Sequence, residues 1–420
     1  MKKLFGFLLL VVMLLSLTLS TASAAPPTQG GGEDYTVQKD DWLSKLADKF
    51  LGDIFAWPAI WEATNAKAET DSSYTRIVNP NFIEVGDKFY IPSPDEAAAI
   101  LASQAPAAGE LGSAENPIQV LFVPSVDAGV IVSGGEVMAA ALQKATGLNF
   151  EVSVPTSYAA TIEAMCAAPD TTMGFIPALG YVLASNRCGV EVGGAAVRFG
   201  LSWYTQEYLV ARDSDITSLA DLAGKKWAVP DRGSTSGFLY PSAEFASLGI
   251  EPGEIVEAGG HTGAVLALYN GEVDFATAYF SPPLTTPSWI YGQDPEPYDV
   301  HNVIRNEEGR AFSGDIRVLD ARVNALETAP DVIDKVRILK LGDQIPNDTV
   351  SFGPDFPEGL RARILNALVI FAASDACQES ICHSDFYSWT GIEPVSDSFY
   401  DPVRKLINVL GYTEEDIFGG

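Results

Sequence analysis

From Ile118 onward the chain alternates short apolar runs with segments of helical periodicity, and that rhythm leaves few folds open. Residues 118–123 read as a buried strand, and Met138, Ala141, Leu142 and Ala145 then recur at helical spacing. Strands follow at 150–154 and 173–176, with helices at 157–166 and 179–185. This alternation predicts an α/β unit over residues 117–420, built on a mostly parallel sheet covered on both faces. A long extended stretch, 204–211, precedes a second series: strand 226–229, a helix at 238–248, strand 254–257, helix 262–269 and strand 273–279. We place one lobe at about 117–204 and 345–420, and the other at about 212–340. Two such lobes joined by extended segments predict a cleft between them, where ligands commonly sit.

The 420 residues are 47% hydrophobic and 19% charged, enough for two or three globular domains. A formal net charge of −29 argues against nucleic acid and anionic membrane surfaces as partners, since both need basic patches. It does not exclude a small anion, because close hydrogen bonds from neutral donors outweigh a screened surface field.

Lys2 and Lys3 precede an apolar run at 4–19 and the small residues Ala22, Ser23 and Ala24. Residues 1–24 therefore read as a cleaved secretory signal peptide, which places the protein in the periplasm or cell wall. No cysteine follows the run to carry a lipid anchor. An even number of cysteines in an exported chain predicts disulfides. Of the three connectivities open to Cys166, Cys188, Cys377 and Cys382, we expect the local one, Cys166–Cys188 and Cys377–Cys382. The spacings are too irregular for a metal site, and nothing calls for a cofactor.

Ahead of the large unit, residues 34–93 form a module of their own, and 94–116, rich in Ala, Pro, Ser and Gly, read as a linker. A strand at 35–37 leads to Leu43, Leu46, Ala47 and Phe50 on one helical face, with Asp40 or Asp41 as the expected cap. Trp57, Ile60, Trp61 and Thr64 mark a second helix, and a strand at 88–92 closes a βααβ unit. Tyr35-Thr36-Val37, Trp42 to Ala47, Ile60, Asn65, Asn79-Pro80-Asn81, Ile83, Val85-Gly86-Asp87 and Ile91-Pro92 together resemble a lysin motif (LysM) domain. The resemblance implies binding of N-acetylglucosamine polymers in a shallow groove flanked by Asp41, Asn65 and Asn79, and so attachment to cell-wall glycan.

The chemistry concentrates in Trp227 to Gly237. A strand ends, and Gly233-Ser234-Thr235-Ser236-Gly237 turns into a helix, aiming hydroxyls and N–H groups at one spot. The helix dipole favours an oxyanion there. His261, after Gly259-Gly260, stands at the next helix start and can donate to the same oxygens. The five-residue turn superficially matches a hydrolase nucleophile elbow, but its central residue is Thr, and His261 precedes Asp274, the wrong order. With His261, His301 and His383 scattered, neither serine nor metal hydrolysis is supported.

Ser157-Tyr158-Ala159-Ala160, Asp213-Ser214, the segment Leu219 to Lys225, the Ser-Thr-Ser-Gly turn, His261, Gly271-Glu272-Val273-Asp274 and Ile345-Pro346-Asn347-Asp348 resemble the phosphate/phosphite/phosphonate-binding subunits of ABC importers. That resemblance implies a two-lobed, hinged, type II periplasmic-binding-protein fold, with Ser234, Thr235, Ser236 and His261 gripping the phosphorus oxygens. Tyr158 and Tyr204 would wall the site, and Asp348 would accept a proton from a P–OH group or meet a ligand amine. The expected partners are a small oxyanion and an ABC permease, for a protein acting as a monomer. Residues 276–283 lack the acid that aminoalkylphosphonate binders carry there, which favours phosphite, phosphate or methylphosphonate. Residues 282–318 look like an insertion whose Arg305, Arg310 and Arg317 have no assigned place. The competing reading is a wall-binding adhesion or sensor protein with a degenerate binding unit.

Overall fold

The computed structural model describes residues 32–78, 80, 82–284, 300, 302–307, 309–383 and 385–413. The expected signal peptide and Asn79 lie outside them. Two sheets carry the large unit. The first runs, in spatial order, Gly391–Glu393, Glu191–Val197, Thr349–Phe352, Thr172–Ile176, Ile118–Phe122 and Phe150–Ser153. The second runs Val336–Pro346, Trp203–Ala211, Phe275–Phe280, Trp227–Val229 and Ile255–Glu257.

Both sheets are mixed, which corrects the expectation of mostly parallel pairing. The βα series does give parallel neighbours: Ile118–Phe122 pairs parallel with the strands on either side of it, and Trp227–Val229 likewise. The strands that pass between lobes enter antiparallel, with Thr349–Phe352 between two antiparallel partners and Trp203–Ala211 between two others. A chain that leaves one sheet, crosses and later returns brings strands of opposite direction, which alternation along the sequence does not reveal. The crossings are short: residues 198–202 outward and 347–348 back.

Each lobe has its own apolar core, one around Phe122, Phe175, Met138 and Trp389, the other around Leu209, Val265, Ala276 and Ile338. A third cluster straddles both lobes, joining Leu179 and Tyr181 to Tyr204, Leu239, Tyr240 and Ile345. The C-terminal helix Asp401–Leu410 seals it with Val403 and Ile407. Disulfides join Cys166 to Cys188 and Cys377 to Cys382, the local pairing.

In the N-terminal module strand Glu33–Thr36, helices Leu43–Leu51 and Trp57–Ala68, and strand Lys88–Ile91 follow in the order that the periodicity predicts. The helix cap differs. Trp42 occupies the N-cap without a side-chain bond, while the Asp41 carboxylate accepts from the Gln38 N–H and the Tyr35 hydroxyl, both at 2.8 Å. The expected linker also differs. Residues Pro94–Ser103 form a helix, started by a reciprocal Ser93–Glu96 capping box with Pro94 in the first turn. Alanine-rich composition suggested flexibility, yet alanine is the strongest helix former.

The module does not hang on a tether. Phe55 is buried in the first-lobe core, and Ile54 packs beside it. Ile370 of that lobe reaches the module's core in return. Asp53 pairs with Lys144 at 2.7 Å, and the Arg363 guanidinium donates to Gln104 and to the Thr146 carbonyl.

Candidate functional site

A cavity of about 80 Å³ lies between the lobes. Its wall includes Tyr158, Tyr204, Ser234, Ser236, His261 and Asp348, so six of the seven expected ligand residues converge. Thr235 does not line it.

The turn is built by close packing. Strand Trp227–Val229 ends at Pro230, and a Cβ on Gly237 would stand 2.3 Å from the Pro230 Cδ, so only glycine fits. The Trp227 indole donates to the Thr277 hydroxyl at 2.7 Å, and that hydroxyl donates to the Gly237 carbonyl at 2.5 Å. Residues Thr235–Leu239 then form one wide π turn before the α-helix Tyr240–Leu248, where sequence periodicity suggested a single helix from Phe238. Such turns widen a helix locally and recur at functional sites.

The three hydroxyls have different duties. Ser234 Oγ caps the turn by accepting from the Gly237 N–H at 3.0 Å. Thr235 Oγ1 accepts from the Leu179 N–H at 2.8 Å, across to the first lobe. Ser236 Oγ is buried beside the Tyr204 phenol and, among the described residues, has no other hydrogen-bond partner. Thr235 is thus a bridge between lobes, not the ligand contact that the motif suggested.

His261 opens helix His261–Tyr269 behind Gly260, whose φ of 133° admits little but glycine. Its own N–H donates to the Ser125 carbonyl of the first lobe at 3.2 Å. The imidazole is buried, edge-on to the Tyr279 ring at 5.0 Å, and its Nδ1 has no partner among the described residues. Burial, helped by the nearby Arg198 charge, pushes its pKa down to about 3. It is neutral at physiological pH and has one N–H to give. Burial also raises the Tyr158, Tyr204, Tyr279 and Tyr387 phenols, which remain protonated donors.

Arg198 escaped the sequence reading. It lies on the outward crossing, and its guanidinium meets Asp348 on the returning one at 2.5 Å. The same group donates to Asn347 Oδ1 at 3.0 Å and to the Tyr387 carbonyl at 2.9 Å. The Asn347 amide in turn donates to the Ala196 and Leu201 carbonyls, each at 2.9 Å. The two crossings are therefore locked side by side at the cavity wall, and Asp348 already holds a cation there. Tyr279, Tyr387 and Ser125 were also missed. Tyr279 and Ser281 are alternate positions from strand Phe275–Phe280 onward, and that period of two was the available signal. For Arg198 no local signal exists, since Asp348 is 150 residues away.

Further contacts hold the lobes together: the Tyr158 N–H reaches Asp231 at 3.4 Å, and Arg305 meets Asp385 at 3.3 Å. Arg310 and Arg317 line the cavity, whereas Arg305 does not. Asp274 accepts from the Lys226 N–H at 2.7 Å, a structural duty. In the N-terminal module Asn65 is committed to its own loop, with its amide donating to the Ile77 carbonyl and accepting from the Ile77 N–H.

The cavity between the two lobes gathers hydroxyl, imidazole and guanidinium donors. Residues 120–400 match the family model described as the periplasmic phosphonate substrate-binding protein of ABC transporters. The chain belongs to that family. A curated relative, the phosphate-import protein PhnD of Mycolicibacterium smegmatis, is 28% identical over 75% of this chain and 92% of its own. Among solved structures, the binding component of a Pseudomonas aeruginosa phosphonate transporter superposes with a TM-score of 0.54 at 17% identity, over 71% of this chain and 90% of that one. PhnD1 of Prochlorococcus marinus, solved with methylphosphonate, gives 0.53 at 12% identity, over 70% and 98%. These structures show the shared two-lobed fold. The family consists of extracytoplasmic binding proteins rather than enzymes, in line with the rejection of hydrolase chemistry above. Among the described residues no helix is long and apolar enough to cross a membrane.

Proposed function

We propose that the protein captures a small phosphorus oxyanion (phosphite, phosphate or a simple phosphonate) in the interlobe cleft and delivers it to an ABC permease. One observation carries the reading: among the described residues the His261 Nδ1 is buried at the cavity without a partner, and Ser236 Oγ has only the Tyr204 phenol beside it. Groups left so are costly until a ligand satisfies them. The names of the relatives point to the same ligand class. The lobes close by a hinge at 198–202 and 347–348. Calorimetric titration of the mature protein with phosphite, phosphate, methylphosphonate and sulfate tests this. Heat with at least one phosphorus anion, and no chemical change in it, is the expected result; silence with all three overturns the proposal.

The proposal extends to residues 1–24 as a cleaved signal peptide and to residues 34–93 as a LysM domain holding the protein on cell-wall glycan. Trp42, Val78, Phe82 and Val85 are exposed apolar side chains on the module's loops, the kind of surface on which sugar rings stack. With Asp41 and Asn65 held in internal bonds, these side chains carry the contact. Trp42→Ala should reduce retention on purified peptidoglycan severalfold without altering oxyanion binding; equal retention removes the glycan role.

A further inference from the structure

The arginine-rich insertion reaches the cleft. Its short strands Ile304–Arg305, Ala311–Ser313 and Ile316–Arg317 pair antiparallel in that order. Phe312 stands opposite Arg317, and Arg310 is two residues before Phe312. Side chains alternate along a strand and share a face across it, so Arg310 and Arg317 project from the same face as diagonal neighbours. Both line the cavity and both are half-buried.

The insertion packs into the second-lobe core through Ala311 and Val318 and touches the first lobe as well. Arg305 donates to the Gly309 and Val323 carbonyls and pairs with Asp385 of that lobe. The Arg317 guanidinium lies over the Phe199 ring, 5.0 Å from its centre, on the outward crossing. Phe199 itself adopts a φ of 53°, in the left-handed region that bulky residues rarely visit. Arg310 and Arg317 also hold other partners in the protein.

Among the described residues the cavity wall carries three guanidinium groups, Arg198, Arg310 and Arg317, and two carboxylates, Asp320 and Asp348. Each carboxylate is already engaged elsewhere. Asp348 holds Arg198, and Asp320 holds the buried Arg322 through two bonds of 2.9 Å. The serine and histidine donors are neutral, and a hydrogen bond from a neutral group distinguishes weakly between one negative charge and two. A guanidinium distinguishes them strongly, because the attraction scales with the ligand's charge in a partly dry site.

We propose that Arg310 and Arg317 are ligand-binding residues of the cleft that make it prefer a doubly charged phosphorus oxyanion over a singly charged one. The inference rests on the oxyanion reading above and adds the ligand's charge state to it. The insertion, packed into the second-lobe core and touching the first lobe through Arg305 and Arg317, places this charge between the lobes.

The test uses the full mature chain with methylphosphonate, above its second ionisation, and its monomethyl ester, which carries one charge. Single R310Q and R317Q variants should each weaken methylphosphonate binding by about tenfold or more, and the double variant further. Ester binding should change by no more than about threefold. R310K and R317K keep the charge, guard against misfolding and should keep the preference. A double variant that binds methylphosphonate like the wild type, or that loses both ligands equally, overturns the inference; so does loss of the preference in the lysine variants. Wild-type protein that binds neither compound nor the other phosphorus anions overturns the oxyanion reading along with it. Normal wild-type binding with an unaltered double variant overturns the arginine assignment alone.

Discussion

The two faces of the cleft are made in opposite ways. The serine turn of the second lobe is one short run of chain, Ser234 to Gly237, with His261 beside it; the donors of this turn are neutral, and among the described residues the His261 Nδ1 has no partner and Ser236 Oγ only the Tyr204 phenol. The first-lobe face is a charged knot, Arg198 with Asp348, Asn347 and the Tyr387 carbonyl, in which every group is answered. The first arrangement leaves something for a ligand to satisfy. The second leaves nothing and instead ties the two crossings together. A binding protein needs both, and the difference predicts that damage to one face costs stability while damage to the other costs affinity.

The sharpest way to break that contrast is Arg198→Ala. It strands the Asp348 carboxylate, largely buried, without its cation, and should lower stability by about 3–5 kcal/mol. Denaturant unfolding measures this, and the Arg198→Ala/Asp348→Ala pair should lose less than the sum of the singles. A neutral Arg198→Ala would mean that the knot does not hold the crossings.

Next come the hydroxyls of the turn. Ser236→Ala should weaken oxyanion binding by about 1–3 kcal/mol and leave the unfolding midpoint of the empty protein nearly unchanged, because the buried hydroxyl removed has only the Tyr204 phenol beside it. Thr235→Val should act differently. It leaves the Leu179 N–H without its acceptor, so about 1 kcal/mol should be lost from the closed arrangement of the lobes, with ligand present or absent. Similar behaviour of the two variants would erase the distinction between ligand contact and bridge.

The smallest effect at neutral pH belongs to His261. Its folded pKa, about 3, lies below the unfolded value near 6.5, so between those values the unfolded chain binds more protons. Stability from this group is complete above about pH 6.5 and declines as the pH falls toward 3. His261→Gln should flatten the stability-versus-pH curve in that window; an unchanged curve would place the imidazole in solvent.

What could be read from the sequence follows from how each feature is encoded. The turn was legible because its glycines and hydroxyls are consecutive, and because the strand before and helix after it have clear periods. The helices and most strands were legible for the same reason. The antiparallel entries of Thr349–Phe352 and Trp203–Ala211 were not, because pairing direction depends on where the chain goes between elements. Nor was Arg198, whose partners come from two distant segments. Thr235 shows the reverse case: the motif placed it near the site, but the π turn rotates its hydroxyl toward Leu179 and away from the cavity. The helix Pro94–Ser103 was hidden by a composition that suits both a spacer and a helix.

The seam where Phe55 enters the first-lobe core has a mechanical consequence. With the small module welded to one jaw, any purchase it takes on its surroundings sets that jaw's heading. In the proposed closure the other jaw, carrying the serine turn, is the one that swings, so the mouth keeps a constant bearing.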